Sequence, residues 1–543
     1  MPNYPDAFTL WLEEQLQHKK TQCPPWATQN PELLQIAQDY FPEIPLSQPE
    51  QLERPILNPV AILPLSACPV SMNQLEPAEL VAVGGPPAAM VALQAALQGK
   101  KSLYISDLEL ASPGKQIRPI WAGAGNHGEA DVATEGPAYL AGYYPCSFIG
   151  KELLGCLRPK RFSKNPLDPD YPWLSLNLGE WLRNPHQWLT GLRVFWGNAL
   201  LAWKYDREIR QGIQPEIIRI MEKRVRDSGQ YLENLNQNTV NILRKPRGSL
   251  ILACTPKQLA NLQGLRENLQ KHGQQLKSLS PEEAGKKYGL IPRQTVGMME
   301  KTHDFIFEAD FLKRISEHIK KSGGQVIPHR RLTRVFLDTE NNTGGVLEFY
   351  ELNASQEKIF HYQKFSQAHL SLGATPFTPS VYDLISVTGV SINALLIGAS
   401  LHGGPLVCGG TNHVVPLLEP RMVPIKDAQG QHISLPVSFV RLSTGASIGP
   451  LDRGKYWYYY DGCHALHLIH RVRESLPQQF KLHILSVTGC NRVIGKDGHQ
   501  VEIHPRLQIN GKDFIGERLT IQIGAGGGGL TQMGALPQQM LNK

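Results

Sequence analysis

The chain has 543 residues, of which 41% are hydrophobic and 19% charged, so a disordered chain is excluded and two or three domains with sizeable cores are expected. The formal net charge of +7 at pH 7 is mild, and the sequence has neither a long basic run nor an aromatic-and-basic motif that would predict a nucleic-acid partner. The eight cysteines are scattered without a C-x-x-C pair, which argues against a metal site or a disulfide framework and favours a reducing compartment.

Residues 1–76 are predicted to form an arm that packs on the rest of the protein, with partner docking as the alternative role. Phe8, Trp11 and Leu12 recur at helical spacing, and prolines recur through residues 41–72. The first residues are acidic where a signal peptide would be basic, and no stretch of about 18 uncharged apolar residues is present. A cytoplasmic protein is therefore expected, with peripheral membrane contact left open.

A strand, turn, helix and second strand are predicted between Glu79 and Asp107. The apolar run from Leu80 to Val83 suits a buried parallel strand, and Gly84 and Gly85 suit a tight turn. A helix follows in which Pro87 occupies the first turn and Ala88 to Leu97 continue, and Ser102 to Ile105 form the next strand. This order is typical of a nucleotide-binding βαβ unit.

The glycine fingerprint of this unit is imperfect. Aligned from Gly84 on G-x-G-x-x-G, the second glycine is replaced by Pro86 and the third by Ala89. Proline at the second position removes an N–H group and adds bulk where a pyrophosphate would approach. The acidic residue expected at the end of the second strand is displaced, because Ser106 stands there and Asp107 follows. This window alone leaves open a dinucleotide site or a plain βαβ packing unit.

Further along the chain, a glycine-rich loop in residues 116–144 and a helical region in residues 172–245 are predicted. In the loop, Gly125, Asn126, His127 and Gly128 allow the main chain to pass close to a flat or charged group, although a solvent loop is the alternative. The Trp-rich part of the helical region, residues 186–206, is interpreted as a helix with a broad buried face, with a membrane-surface helix as the alternative. Residues 249–289 then alternate strand, helix, strand and helix, as in a second domain.

The run RGSLILACTPKQLANLQGLRENLQKHGQQLKSLSPEEAGKKYG resembles the substrate domain of the FAD-dependent amino-acid oxidoreductases, the D-amino-acid oxidase superfamily, and its layout is most similar to the small subunit of D-amino-acid dehydrogenase. The segments FIFEADFLKRISEHIKKSGGQVIPHRRLTRVFLD, HLSLGATPFTP, FVRLSTGASIGP, TGCNRVIGKDG and RLTIQIGAGGGGLTQM resemble later parts of that family in the same order. The resemblance covers roughly residues 78–541 and rests on this colinearity.

The resemblance implies an α/β fold in which a Rossmann-like FAD-binding domain of the glutathione-reductase type is joined to a substrate domain on a mixed or antiparallel sheet. The implied division of the chain is an arm in 1–76, FAD-binding parts in 77–160, 301–380 and 491–543, a helical and substrate segment in 161–300, and the substrate domain proper in 381–490. The implied FAD contacts are Gly84, Gly85, Pro87, Ala88, Ala89, Ser106, Asp107, Gly125, Asn126, His127, Gly128, Leu332, Gly373, Ala374, Gly524, Gly526, Gly527, Gly528, Gly529, Leu530 and Thr531.

Three features of the chain carry the chemistry that the resemblance implies. The strand from Leu519 to Ile523 runs into clustered glycines, where a helix start would point N–H groups at the flavin, while a flexible tail is the alternative. Arg492 stands at the family's arginine position and would grip a substrate carboxylate, although the polar residues after it depart from the family pattern. Tyr458 lies in an aromatic strand that lines a substrate pocket or packs in a core.

The expected function is therefore that of an FAD-dependent dehydrogenase or oxidase that takes a hydride from the C–N bond of an amino acid or secondary amine. A non-catalytic relative that serves in binding or assembly is the alternative. The electron acceptor, oxygen or quinone, is left open.

Overall fold

The structure is a computed structural model that describes residues 59–106, 132–134, 175–176, 182, 185, 188–211, 213, 216–243, 249–271, 276–290, 292, 295–301, 304–306, 311–352, 357–373, 375–402, 406–408, 412–416, 420–426, 429, 431–450, 462–476, 481–495, 501–509, 512–523, 533–535 and 537. The α-helices in these residues are α1 (Pro86–Leu97), α2 (Trp188–Arg210), α3 (Glu216–Asn238), α4 (Pro256–Lys271), α5 (Pro281–Tyr288), α6 (Phe311–Lys321) and α7 (Gly462–Ser475), and short 3-10 helices span Leu65–Ala67 and Met72–Gln74.

The strands in the same residues are β1 (Val60–Pro64), β2 (Pro77–Gly84), β3 (Ser102–Ile105), β4 (Val132–Thr134), β5 (Ser175–Leu176), β6 (Ser249–Ala253), β7 (Leu276–Ser278), β8 (Gly297–Lys301), β9 (Asp304–Ile306), β10 (Gln325–Ile327), β11 (Arg331–Leu337), β12 (Gly345–Leu352), β13 (Lys358–Ser371), β14 (Phe377–Thr378), β15 (Leu384–Ile397), β16 (Leu406–Cys408), β17 (Asn412–Pro416), β18 (Arg421–Lys426), β19 (His432–Pro450), β20 (Lys481–Gly495), β21 (Val501–Ile503), β22 (Arg506–Ile509), β23 (Lys512–Ile515) and β24 (Leu519–Ile523). Two large mixed sheets contain most of them.

The first sheet has a parallel part in the order β10, β3, β2, β13 and β24. Its central strand β2 is buried from Leu80 to Gly84, which explains the continuous apolar run of the sequence, since a parallel strand is covered on both faces. Strand β13 is the longest of the five. Its second half pairs with β2 on one side and β24 on the other, and its first half pairs with β12.

Strands β11, β12 and β13 form an antiparallel meander that extends this sheet, and β1 pairs in parallel with β11. The meander and the parallel part share one apolar core, in which Val81 and Leu103 of the parallel part meet Val335 and Phe349 of the meander. The long strand β13 therefore belongs to two layers that pack on each other.

Helices α1, α3 and α6 cover the other face of the parallel part. Helix α1 is buried almost all round, because its alanines let the sheet and the neighbouring helices approach closely. The hydroxyl of Tyr231 on α3 donates a hydrogen bond to Oε1 of Gln94 on α1 over 2.7 Å, which ties the two helices together.

The second sheet follows the order β20, β15, β19, β17, β16, β6, β8 and β7, with β5 and β18 paired to β19. Helix α7 covers one of its faces, where Leu468 and Val472 pack against Ile392, Val440 and Leu442. Helix α5 closes the same core through Tyr288, and its start carries a capping box between Ser280 and Glu283. The two predicted strands of residues 249–289 thus belong to this sheet, and the two predicted helices pack beside it.

The two sheets meet at one end of β15 and β20. Leu384 and Val493 belong to the core of the first sheet, although their strands belong to the second. At the same place a Cβ atom on Gly495 would lie 2.3 Å from Cε1 of Tyr382, so only glycine allows the ring to pack here.

Several predicted boundaries and roles differ from the structure. Strand β1 belongs to the first sheet although it lies within the predicted arm; Val60 and Ile62 are buried, and the prolines at its ends do not interrupt the ladder. Ser175 and Leu176, predicted as helical, pair with β19. Arg492 continues β20 of the second sheet up to Gly495, so that sheet extends beyond residue 490.

The prediction of a broad buried face for the Trp-rich helix is wrong. Trp188, Leu189, Trp196 and Trp203 on α2 are between 44% and 70% exposed. The helix packs on β15, and Val194 on its inward side is fully buried. None of the helices in the described ranges is long and apolar enough to cross a membrane.

Candidate functional site

The carboxyl ends of the parallel strands of the first sheet meet along one edge. Ser371 of β13 lies opposite Gly84, and Ile521 of β24 lies opposite Leu370, one residue before Ser371. Because β2 and β24 flank β13, their ends lie about 10 Å apart. The strand that precedes the glycine cluster of residues 524–529 therefore ends at the same edge as the first glycine turn. In open parallel sheets, ligands bind outside this edge.

The turn after β2 is fixed by glycine. Gly84 has φ +117°, and a Cβ atom there would lie 2.2 Å from the carbonyl oxygen of Ser371. The N–H of Gly85 donates to that same oxygen over 3.1 Å, and the hydroxyl of Tyr104 donates to the carbonyl of Gly84 over 2.9 Å. The chain therefore turns directly against the end of β13, which brings the start of α1 to the edge.

The start of α1 offers fewer N–H groups than an ordinary helix. Gly85 is the N-cap, and Pro86 and Pro87 occupy the first two helical positions, where neither has an N–H. Ala88 is the first helical residue that carries one, and the N–H of Ala89 already bonds to the carbonyl of Gly85 over 3.2 Å. The helix dipole remains directed at the edge, but two of the usual anion-binding donors are missing.

Ser106 lies at the end of β3 and joins the edge to the start of β11. Its N–H donates to the carbonyl of Ile327 over 3.1 Å, and its carbonyl accepts from the N–H of Arg330 over 3.1 Å. Leu332 follows two residues later, with its side chain in the core between the two layers. Gly373, with φ +61°, follows the end of β13. The structure thus places Gly84, Ser106, Gly373 and the chain leading to Leu332 around one edge.

A buried polar cluster lies directly under this edge. Nε2 of His369 and the hydroxyl of Ser371 are 2.9 Å apart, and that hydroxyl also donates to Oε1 of Gln522 on β24. His369 is completely buried, and burial lowers the pKa of its imidazole to about 4, so the ring is neutral at pH 7. Within the described part of the chain, Nδ1 of His369 and Nε2 of Gln522 have no hydrogen-bond partner.

A second polar position lies on the face of the second sheet away from α7. Val440 and Leu442 point into the core under α7, so Arg441 between them points to the opposite face. Arg441 is only 5% exposed and pairs across the ladder with Asn393 of β15. Arg492 lies opposite Val387, six residues from Asn393 along β15, which is about 20 Å away. The two arginines therefore cannot grip the same carboxylate.

The remaining predicted site residues fall outside the residues that the structure describes. They are Asp107, Gly125, Asn126, His127, Gly128, Ala374, Tyr458, Gly524, Gly526, Gly527, Gly528, Gly529, Leu530 and Thr531. For Arg492 the structure gives the strand position alone.

The sequence prediction did not include His369, Gln522 or Arg441. Each is a polar residue between apolar neighbours within a strand: Ala-His-Leu in β13, Ile-Gln-Ile in β24 and Val-Arg-Leu in β19. A polar residue enclosed in this way in a buried strand requires partners, and that requirement was the available sequence signal.

No protein-family model matches the chain, and no curated protein matches it. Among solved structures, the chain is similar to glycine oxidase from Bacillus cereus ATCC 14579, with 12% identity, a TM-score of 0.50, and coverage of 86% of this chain and 94% of that chain. It also matches glycine oxidase from Geobacillus kaustophilus, with 13% identity, a TM-score of 0.47, and coverage of 86% and 93%. A third match is the dithionite-reduced L-α-glycerophosphate oxidase from Mycoplasma pneumoniae with FAD bound, with 11% identity, a TM-score of 0.48, and coverage of 86% and 94%.

At this level of identity, the match to the Bacillus cereus protein is a likeness of fold. It confirms the predicted α/β class, with a Rossmann-like unit joined to a second domain on a mixed sheet.

Proposed function

We propose that this protein is an FAD-dependent oxidoreductase that oxidises the C–N bond of an amino acid or a secondary amine. The observation that carries the proposal is the shared edge of the first sheet. There the Gly84 turn, the end of β3 at Ser106 and the end of β24 meet, and the chain runs from β24 into its glycine cluster. One bound dinucleotide would contact all of these segments.

The residues at this edge fit a dinucleotide. Gly84 lets the chain turn against Ser371 without a side chain in the way, and the buried Ser106 stands where the second strand ends. The neutral His369 and Gln522 below the edge have hydrogen-bonding capacity to spare and would hold the segment that follows β24. FAD bound along this edge would supply the hydride acceptor for the substrate carbon.

The second sheet would supply the substrate site. Arg441 is held by the β19 ladder on the face away from α7, and its guanidinium suits bidentate contact with a carboxylate. A substrate fixed in this way would present its α-carbon in one orientation. Arg492, which the sequence suggests for the same role, lies near the junction of the sheets. We treat it as the second candidate for the carboxylate-binding residue.

The choice between dehydrogenase and oxidase belongs to the same proposal. The sequence resemblance to the small subunit of D-amino-acid dehydrogenase favours an acceptor other than oxygen, whereas the fold likeness is to an oxidase. The product of C–N oxidation is an imine that water hydrolyses, and this holds for either acceptor.

A non-catalytic protein is the second candidate, and one observation favours it. Pro86 and Pro87 remove two N–H groups from the helix start that would face a pyrophosphate. If this loss abolishes cofactor binding, the fold would serve binding or assembly.

The absorbance spectrum of the purified protein separates the two candidates. Oxidised flavin gives bands near 370 and 450 nm, and we expect these bands to survive desalting after reconstitution with FAD, roughly one flavin per chain. Their absence after reconstitution would favour the non-catalytic protein. If they are present, anaerobic bleaching by a panel of amino acids and secondary amines identifies the substrate class.

Arg441→Met and Arg492→Met test the substrate site, since methionine keeps an unbranched apolar side chain, removes the guanidinium and leaves no buried charge. We expect Arg441→Met to raise the substrate concentration for half-maximal bleaching by about 100-fold, the loss of a buried bidentate pair, with an unchanged flavin spectrum. Arg492→Met should have a smaller effect. The reverse order of the two effects would move the carboxylate site to the junction of the sheets.

A further inference from the structure

Helix α2 presents an apolar stripe to solvent. The stripe consists of Trp188, Leu189, Leu192, Trp196, Leu200 and Trp203, which are 44%, 70%, 52%, 57%, 63% and 63% exposed. At 100° per residue these side chains span about 120° of the helix, and the stripe is about 23 Å long. Exposed apolar patches of this size mark interaction surfaces, since soluble surfaces rarely leave them open.

The stripe is distinct from the face by which α2 packs on the protein. Val194 is fully buried, and the helix contacts β15 of the second sheet from that side. The helix therefore already has its packing partner, and the exposed stripe is a second apolar face on the same element.

Basic side chains flank the stripe. Arg193 and Lys204 are 67% and 65% exposed, and the guanidinium carbon of Arg207 lies 5.7 Å from the centre of the Trp203 ring. The ion pairs of Arg193 and Lys204 with acidic side chains are long: Nη1 of Arg193 lies 3.8 Å from Oδ2 of Asp383, and Nζ of Lys204 lies 3.7 Å from Oε1 of Glu208. Long basic side chains beside an apolar stripe can extend their charges toward a polar boundary.

We propose that the α2 stripe docks on an anionic lipid surface. The tryptophans and leucines would enter the boundary between headgroups and acyl chains, with the helix lying in the plane of the surface. Arg193, Lys204 and Arg207 would contact the phosphates, and the chain's formal net charge of +7 at pH 7 adds to the attraction.

Charge distinguishes this occupant from a second copy of the chain. An antiparallel twofold pairing of two α2 stripes would bring the basic flank of one helix beside the basic flank of the other, and like charges there repel. Anionic headgroups complement the same flank.

Flotation of the full-length protein with vesicles tests the proposal. Vesicles of phosphatidylcholine alone are compared with vesicles of phosphatidylcholine mixed with phosphatidylglycerol, at low and high salt. We expect the protein to float with the mixed vesicles and the bound fraction to fall in high salt. The variant Leu192→Gln/Trp196→Gln should reduce the partition coefficient by at least about tenfold, because two apolar anchors are lost.

Matched controls keep this result specific. Phe360→Gln/Met422→Gln changes two side chains that are 50% and 61% exposed on β13 and β18, away from α2, and should float like the unmodified protein. Lys204→Gln/Arg207→Gln should weaken binding to the mixed vesicles at low salt. The fraction of protein that stays bound in high salt should not change.

Three outcomes would overturn the proposal. They are no flotation with either vesicle, equal flotation of the stripe variant, and a lipid-free dimer in sedimentation velocity that the stripe variant abolishes. The last outcome would assign the stripe to a second copy of the chain. The far-ultraviolet circular dichroism of each variant is compared with that of the unmodified protein, so a folding defect is recognised directly.

Discussion

At the scale of single residues, the edge of the first sheet depends on groups that tolerate no simple replacement. A Cβ atom on Gly84 would meet the carbonyl oxygen of Ser371 at 2.2 Å, and backbone at that position cannot move without shifting β13. Ser371 also connects His369 to Gln522, so the same residue supports the turn through its main chain and the polar cluster through its hydroxyl. The turn and the cluster are therefore one structural unit.

His369 should make the stability of the protein depend on pH. Burial lowers the pKa of its imidazole to about 4 in the folded protein, and its described hydrogen-bonding neighbours, Ser371 and Gln522, are neutral. The unfolded chain binds the proton at a pKa of about 6.5. The contribution of the neutral ring to the free energy of unfolding is therefore fully present above pH 6.5 and is lost as the pH falls toward 4. The expected loss between pH 7.5 and pH 5 is about 2 kcal/mol.

The measurement is urea unfolding of the native protein and of His369→Gln at both pH values. The decrease in the free energy of unfolding from pH 7.5 to pH 5 should be about 2 kcal/mol smaller in His369→Gln than in the native protein. His402→Gln, the same change at an exposed histidine, should behave like the native protein. Equal pH dependence of the native protein and His369→Gln would contradict the assignment of a neutral buried imidazole.

The sequence predicted the glycine turn but not the polar groups below it, for a physical reason. Positive φ and close approach leave a local mark, because only glycine fits. His369, Gln522 and Arg441 depend on which strands become neighbours, and the pairing of β13 with β24 joins residues about 150 positions apart. An isolated strand sequence does not contain that information.

At the scale of elements, the helices and strands with strong periodic patterns were predicted well. The βαβ unit from β2 to β3 and the alternating strands and helices of residues 249–289 appear where the sequence places them. Strand β1 was missed because it is short and bounded by prolines, and its stability comes from β11, which lies far away in the chain. The exposure of α2 was missed because an apolar stripe in a sequence does not reveal whether the protein or another partner covers it.

Helix α1 yields the prediction that belongs to this scale. Pro86→Gly restores an N–H at the first helical position, where it can donate to a phosphate at the positive end of the helix dipole. We expect FAD to bind about tenfold more tightly, the effect of one hydrogen bond to a charged group, while the apoprotein loses about 0.4 to 1 kcal/mol of stability. Quenching of flavin fluorescence during titration of the apoprotein measures the affinity.

The control for this change is Pro281→Gly at the start of α5, which also replaces a proline in a first helical turn but lies in the second sheet domain. It should leave FAD affinity unchanged. An unchanged or weaker affinity of Pro86→Gly would show that the pyrophosphate does not approach this turn.

At the scale of the whole molecule, function requires the two sheets to hold a fixed relation, because the proposed cofactor edge lies on one and Arg441 on the other. The relation is set where Leu384 and Val493 enter the core of the first sheet and the Tyr382 ring packs over Gly495. The sequence predicts a boundary between the substrate domain and the last FAD-binding part at residue 490, and β20, which runs through that position, contributes Val493 to the core of the first sheet.

The junction can be tested with Gly495→Ala, Tyr382→Ala and the double variant. The new Cβ atom in Gly495→Ala would lie 2.3 Å from Cε1 of Tyr382, so the ring must move. Because the ring packs at the junction, we expect the second sheet to shift relative to the first. We expect the rate of anaerobic flavin reduction by substrate to fall about tenfold, since small displacements of a reacting carbon are costly, while the flavin spectrum and FAD affinity stay the same.

Because Tyr382→Ala removes the clash, adding Gly495→Ala to it should cost almost nothing further, a non-additive result typical of residues in contact. Equal losses from Gly495→Ala in the presence and absence of the Tyr382 ring would show that the ring does not transmit the position of one sheet to the other.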